Sequence, residues 1–189
     1  RERIGAEMKK LLAAPAPGTA VALMADTGVL DLLLPGATPD RLAALLAVEA
    51  AQGAAPAWPR RLAALSPDDP SEALRLSKPQ SRTQAALRQA GANAWSLDEA
   101  GYRMGAAAAT DHALLMGADG GPLSYDWRDR LARAAASPLP IAAGDLPGLA
   151  GPAIGRGLRA AETAWIGSGF TLPAPALIDA ALIAAEETP

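Results

Sequence analysis

The chain has 189 residues, half of them apolar, no cysteine and a formal net charge of −3, so it can bury a substantial core but cannot form disulfides or thiolate metal sites. Aromatic residues make up 4% and the apolar half is mostly Ala and Leu, a composition that favours helix over strand and predicts an all-α fold. No stretch reaches the roughly 20 apolar residues of a membrane span. The opening Arg1-Glu2-Arg3-Ile4 has neither an initiating Met nor the apolar run of a signal peptide. It reads as a boundary inside a longer protein, and the lack of cysteine points to a cytoplasmic one.

In chain order, Ile4, Met8, Leu11 and Leu12 form one apolar stripe beside Arg3, Glu7 and Lys10, the end of an amphipathic helix. Ala-Pro-Ala-Pro-Gly at 14–18 breaks it. Residues 19–34 read as one or two short helices jointed at Gly28 and stopped by Pro35-Gly36. Thr38-Pro39 and Ser66-Pro67 each offer an N-cap with proline at the first helical position, and Asp69-Pro70-Ser71-Glu72 adds a glutamate at the third. Ser96-Leu97-Asp98-Glu99 has capping-box spacing, opening a helix that runs through Tyr102 to about Met116. Ala-Asp-Gly-Gly-Pro at 118–122 ends it. Ser124 is the expected cap of a helix carrying Trp127 and Leu131, with Asp126–Arg130 and Asp129–Arg133 pairs on its exposed side. Helices at about 152–167 and 174–186 close the chain. No fixed repeat is present, so an irregular bundle of roughly ten helices is expected rather than a solenoid.

The net charge argues mildly against a nucleic-acid partner, but its distribution does not. Between residues 75 and 103, Arg75, Lys78, Arg82, Arg88 and Arg103 face only Asp98 and Glu99. Between 128 and 159, Arg128, Arg130, Arg133, Arg156 and Arg159 face only Asp129 and Asp145. Most of the basic residues are Arg, whose guanidinium suits bidentate phosphate contacts.

Two segments carry a family resemblance. Glu2-Arg3-Ile4-Gly5-Ala6-Glu7-Met8-Lys9-Lys10-Leu11-Leu12, followed by Gly28-Val29-Leu30 and Leu34-Pro35, resembles the neck helix and hairpin of bacterial tRNA nucleotidyltransferases and poly(A) polymerases. Gly144-Asp145-Leu146, Gly151-Pro152-Ala153-Ile154-Gly155, Leu158, Glu162, Trp165-Ile166 and Phe170 resemble the tail signature of the same family. Leu74-Arg75-Leu76-Ser77 and Tyr102-Arg103-Met104-Gly105 are weaker matches between them. The resemblance implies an elongated neck, body and tail, with residues 1–35 ending the neck, 36–117 the helical body and 118–189 the tail. It also implies a tRNA partner, and for the parent protein a head domain that uses magnesium with ATP or CTP.

The family's catalytic Gly-Ser loop and paired aspartates on a strand are missing. Gly167-Ser168 and Asp68-Asp69 read as turn and cap residues, so this chain is expected to be inactive, with no catalytic residue, no metal ligand and no cofactor of its own. The candidate RNA contacts are Arg75, Lys78, Arg82, Arg128 and Arg130 by charge density. Gly151, Gly155, Arg156 and Arg159 join them because a glycine-bracketed helix start with arginines can hold phosphate; for the two glycines, close helix packing against the stripe of Ile154, Leu158, Ala161 and Trp165 is the equal alternative. Trp127 and Trp165 lie on apolar stripes and read as core, Trp58 and Trp95 are less constrained, and the single His112 reads as a helix residue without chemistry. A helical protein-interaction module without an RNA role is the alternative; no particular protein partner is evident from the sequence.

Overall fold

The computed structural model describes residues 2–186, and among these it contains ten α-helices, one short 3-10 turn and no strand. The chain divides into two compact units. The first takes the chain up to Trp95 together with Ala107–Trp127; the second takes Ser96–Ala106 and everything from Arg128 onward.

In the first unit, α1 (Glu2–Ala13), α2 (Gly18–Asp26) and α3 (Val29–Leu33) follow the expected breaks, with Gly28 in the left-handed region at φ 73° where it joins α2 to α3. Of the α1 stripe, Met8 and Leu12 are buried and Ile4 stays 41% exposed. They pack with Val21, Leu30, Leu34, Leu42, Leu62, Leu65 and Leu74 in one core, each such buried leucine contributing about 1.5–3 kcal/mol relative to exposure. Next come α4 (Pro39–Gln52) and α5 (Trp58–Leu65). Thr38 precedes α4 as anticipated, but its hydroxyl donates to the Ala64 carbonyl (2.8 Å) and its amide to Leu65 (2.8 Å). The residue that begins α4 therefore also fastens the end of α5.

Two expected helix starts are corrected here. Ser66 is the C-cap of α5, in extended conformation, and its hydroxyl donates to the Asp68 carbonyl. Residues 71–75 are only a turn, closed by the Leu76 amide on the Ser71 carbonyl with Arg75 at φ 48°. The next helix, α6 (Lys78–Ala92), starts later, where Ser77 donates its amide to the Gln80 side chain (3.1 Å). Proline after a small polar residue marks both helix starts and helix exits, because what it forbids is only an amide donor and an α-region predecessor.

Helix α7 (Leu97–Ala118) belongs to both units: it is interrupted at Gly105, whose φ of 74° and ψ of 158° are non-helical. Its start agrees with the expected box, the Glu99 amide donating to the Ser96 hydroxyl (3.1 Å). The second unit continues with α8 (Trp127–Ala135, whose first residue falls in the first unit), a 3-10 turn (Ala143–Asp145), α9 (Pro152–Gly167) and α10 (Ala174–Glu186). Ser124 does not cap α8 through its side chain: that hydroxyl is buried without a hydrogen-bond partner among the described residues, and the helix begins at Trp127. Ile141, Leu146, Ala161, Leu177 and Ala181 form the second core. The α9–α10 contact is close because Gly157 lacks a side chain; a Cβ there would lie 2.9 Å from the Ala181 carbonyl oxygen.

Candidate nucleic-acid interface

Within the first unit, α1 is seated against the 71–75 turn so tightly that a Cβ on Gly5 would collide with the Leu74 carbonyl. Glycine is thus required in the neck-like motif, and the seat brings α1 against the Leu74-Arg75-Leu76-Ser77 segment. One turn of α1 further on, Lys9 Nζ lies 3.4 Å from Gln80 Oε1 at the start of α6 and 5.8 Å above the Trp58 ring. Arg75, Lys78 and Arg82 are all exposed. Lys78 and Arg82 are four apart on α6, so they share a face.

The start of α6 breaks a local rule. A helix N-terminus carries partial positive charge and favours carboxylates, yet the first turn of α6 has no acidic residue and begins with Lys78. Among the described residues, Arg75, Lys78 and Arg82 enter no ion pair. Arg88 differs: it pairs with Asp69 at 3.2 Å. The Asp69 carboxyl is held below the usual carboxylate range, chiefly by Ser71, whose amide donates to it (3.0 Å), and further by Arg88. A concentration of uncompensated cations at a helix start is an anion-binding arrangement.

Beneath α1 lies a buried ionic cluster that charge counting alone does not reveal. Arg60, Arg61 and Glu49 are each no more than 4% exposed. Glu49 accepts from Arg60 Nε on one oxygen (2.8 Å) and from Arg61 Nε and Nη2 on the other (2.9 and 2.7 Å). Arg60 Nη1 reaches Asp111 at 2.6 Å and Nη2 the Ala55 carbonyl at 2.7 Å. Arg61 Nη1 donates to the Leu12 and Ala14 carbonyls at the end of α1 (2.8 and 2.6 Å). Burial pushes the Asp111 carboxyl above its ordinary range despite Arg60, and the Glu49 charge adds to this.

In the second unit the predicted basic residues fare differently. Arg130 Nη2 is 2.6 Å from Asp98, and Arg133 lies 3.8 Å from the same carboxylate. The sequence pairs both within α8; the structure gives both a partner in Asp98, at the start of α7. Arg156 is half-buried and its Nη2 donates to the Ala185 carbonyl near the end of α10 (3.1 Å), where a cation complements unpaired carbonyls. Arg128 and Arg159 are exposed. Gly151 adopts φ 53°, ψ −130° ahead of α9, a conformation that glycine alone takes readily. A Cβ on Gly155 would meet nothing nearer than Arg159 Nη1 at 3.4 Å, so the packing role belongs to Gly157, which the small-residue pattern Gly157…Ala161 could have signalled.

Most of the tail-like motif has a structural task. The Asp145 carboxylate accepts the Ala142 amide (2.8 Å), Leu146 is in the core, and Glu162 pairs with Arg103 (3.0 Å). Trp165 donates its indole N–H to the Ser137 carbonyl (3.0 Å) and meets Phe170 edge-on, while Phe170 stacks on Tyr102. Burial first, and then the Glu162 carboxylate, push the Tyr102 phenol up.

Trp127 is 1% exposed with its indole on Gln52 (3.1 Å), in keeping with a core role. Trp58 and Trp95 are half-buried. His112 is buried in the first unit, its Nε2 3.0 Å from the Trp95 carbonyl. Asp69 accepts the Ser71 amide and Ser168 accepts the Thr171 amide, the geometry of turn residues. Among the described residues, no three His, Asp or Glu side chains are placed to hold a metal ion. No helix among the described residues is long and apolar enough to cross a membrane.

Residues 1–41 match the protein-family model described as "Probable RNA and SrmB-binding site of polymerase A". The match falls on the segment whose Glu2–Pro35 motifs resemble the carboxy-terminal region of poly(A) polymerases and CCA-adding proteins, and it supports an RNA-binding role in a polymerase-related protein. No curated protein and no solved structure matches the chain.

Proposed function

We propose that this chain is the tRNA-holding carboxy-terminal region of a nucleotidyltransferase that adds CCA to tRNA 3′ ends, with the transfer chemistry supplied by a head domain outside it. The observation that carries the reading is the uncompensated positive charge at the start of α6, beside the α1 segment that matches an RNA-binding family. Arg75, Lys78 and Arg82 contact phosphate, and Lys9, through Gln80, braces the start of α6 beside them without being a phosphate ligand itself. Arg159 and Arg128 provide a second, weaker region around the start of α9 and on α8. Arg130 and Arg156 keep α7, α8 and α10 in place and touch RNA less than their charge suggests. Magnesium and ATP or CTP belong to the head domain. The chain alone transfers no nucleotide.

Fluorescence anisotropy with tRNA across a salt series tests the reading. Binding without base recognition is sequence-independent and steeply salt-dependent, and the logarithmic slope falls by about 0.7–0.9 for each phosphate the protein no longer neutralises. The Lys78→Ala, Arg82→Ala double variant should weaken binding and flatten that slope by about two phosphates' worth. If the unaltered chain at low salt binds tRNA no better than a neutral helical protein, the assignment fails.

The protein-interaction reading draws on a separate observation. Ile4, Leu23, Val29 and Leu32 are 41%, 63%, 43% and 85% exposed, and Ile4, Met8, Leu11, Met24 and Leu33 line an apolar pocket of 420 Å³. Leu32→Ser leaves tRNA affinity unchanged if RNA is the ligand of this unit, and abolishes partner capture if a protein is.

A further inference from the structure

We infer that Arg61, clamped by Glu49, is the positioning residue of the RNA-binding segment: it holds the end of α1 in place without touching RNA. The inference rests on the RNA-binding reading above and adds to it a residue that neither charge density nor the motifs select.

The last carbonyls of a helix have no intrahelical donor. In α1, Arg61 Nη1 supplies one to both Leu12 and Ala14 (2.8 and 2.6 Å), placing a full positive charge at the negative end of the helix dipole. Arg61 has no freedom to do otherwise, because its Nε and Nη2 are both committed to one Glu49 oxygen. The other Glu49 oxygen takes Arg60, which in turn holds Asp111 on α7. Two guanidiniums and two carboxylates thus balance inside the unit, and the chain of bonds runs from α7 through α5 and α4 to the end of α1. At its other end α1 is set by the Gly5 contact with Leu74, the residue before Arg75. A helix fixed at both ends presents Lys9 to the start of α6 at 3.4 Å from Gln80; one released at its end does not. Arg61 itself is 3% exposed and cannot meet a phosphate.

A positioning residue and a phosphate ligand leave different signatures. Losing either lowers affinity, but only losing a ligand changes the number of counterions released. The test uses the full chain and replaces Glu49 and Arg61 together by Met. This removes one charge of each sign, leaves Arg60 and Asp111 paired, and avoids the isolated buried charge that would strongly destabilise a single variant. Thermal melting checks the fold; tRNA anisotropy across salt and amide hydrogen exchange over residues 2–14 give the readouts.

The expected result is a folded protein with about tenfold weaker tRNA binding, a salt slope equal to that of the unaltered chain, and faster exchange at the end of α1. Arg61→Lys with Glu49 retained recovers part of both, since one ammonium cannot serve the carboxylate and two carbonyls together. Unchanged affinity in the folded double variant overturns the positioning role, and a slope reduced by about one phosphate's worth overturns the claim that Arg61 stays off the RNA. Absence of tRNA binding by the unaltered chain overturns the RNA-binding reading and the functional half of this inference. The anchoring half is then decided by exchange alone: unchanged protection over residues 9–14 in the double variant overturns it too.

Discussion

The two units use arginine in opposite ways. In the first, Arg60 and Arg61 are drawn inside and neutralised by Glu49 and Asp111, while Arg75, Lys78 and Arg82 stand outside with no carboxylate partner among the described residues. In the second, no arginine among the described residues sits so deep. Arg103, Arg130 and Arg156 work at intermediate depth, tying α7, α8, α9 and α10 together through Glu162, Asp98 and the Ala185 carbonyl. Cohesion in the second unit comes instead from small residues at the α9–α10 contact and from the Tyr102–Phe170–Trp165 rings. Sequence charge density is nearly the same in the two basic stretches, so density does not identify a phosphate site. The proposed site rests instead on the cations that, among the described residues, no carboxylate pairs.

The contrast is broken most severely by Arg61→Ala. It strands part of the Glu49 charge in the core and should cost about 3–5 kcal/mol, read as a lowered urea midpoint. Arg103→Ala in the second unit removes a partly exposed pair and should cost under about 1 kcal/mol. Equal losses would mean that burial of the first cluster carries no special weight.

The small-residue contact is probed next. Gly157→Ala forces a methyl to within 2.9 Å of the Ala181 carbonyl and should destabilise by about 1–3 kcal/mol. Gly155→Ala, two residues away with only Arg159 Nη1 at 3.4 Å, should be neutral or stabilise by about 0.5–1 kcal/mol. Thermal melts of the two variants should therefore move in opposite directions or by clearly different amounts.

A smaller gain is expected where the first unit keeps an alanine in the left-handed region. Ala94, at φ 48°, ends α6 with the Trp95 amide on the Ala90 carbonyl (3.0 Å). Ala94→Gly should raise stability by about 1 kcal/mol, measured by denaturant titration.

The weakest effect is on pH dependence. Asp111 has its folded-state pKa raised by burial, so the native state takes up this proton before the unfolded chain does, and the group's contribution to stability rises as pH falls through the raised value. Asp69 is shifted the other way. Its contribution is present above the unfolded carboxylate pKa and is lost as acid reaches the lowered one. Urea midpoints between neutral and acid pH should show Asp111→Asn removing the first trend and Asp69→Asn the second.

Helix boundaries set by glycine and capping chemistry are readable in the chain: Gly28, Thr38-Pro39, the Ser96–Glu99 box and the last two helices all lie where local rules put them. Ser66-Pro67 and Asp69–Glu72 mislead, because a cap residue followed by proline serves an exit as well as an entry. Lys78, Arg82 and Arg75 are legible as site candidates from charge. Their availability is not, since it depends on which carboxylates fold against them, and Asp98 and Asp69 take Arg130 and Arg88 instead.

By itself, then, the sequence determined an all-helical chain, its main breaks, and the kinship of its opening segment with an RNA-binding family, all of which rest on near neighbours along the backbone. Only the tertiary structure decided which charges are spent in the interior. Glu49, Arg60, Arg61 and Asp111 meet across α4, α5 and α7, and the two carbonyls that Arg61 caps lie nearly fifty residues back in the chain. An ionisable side chain is cheap in water and costly in a core, so its role is settled by long-range partners that no local pattern records.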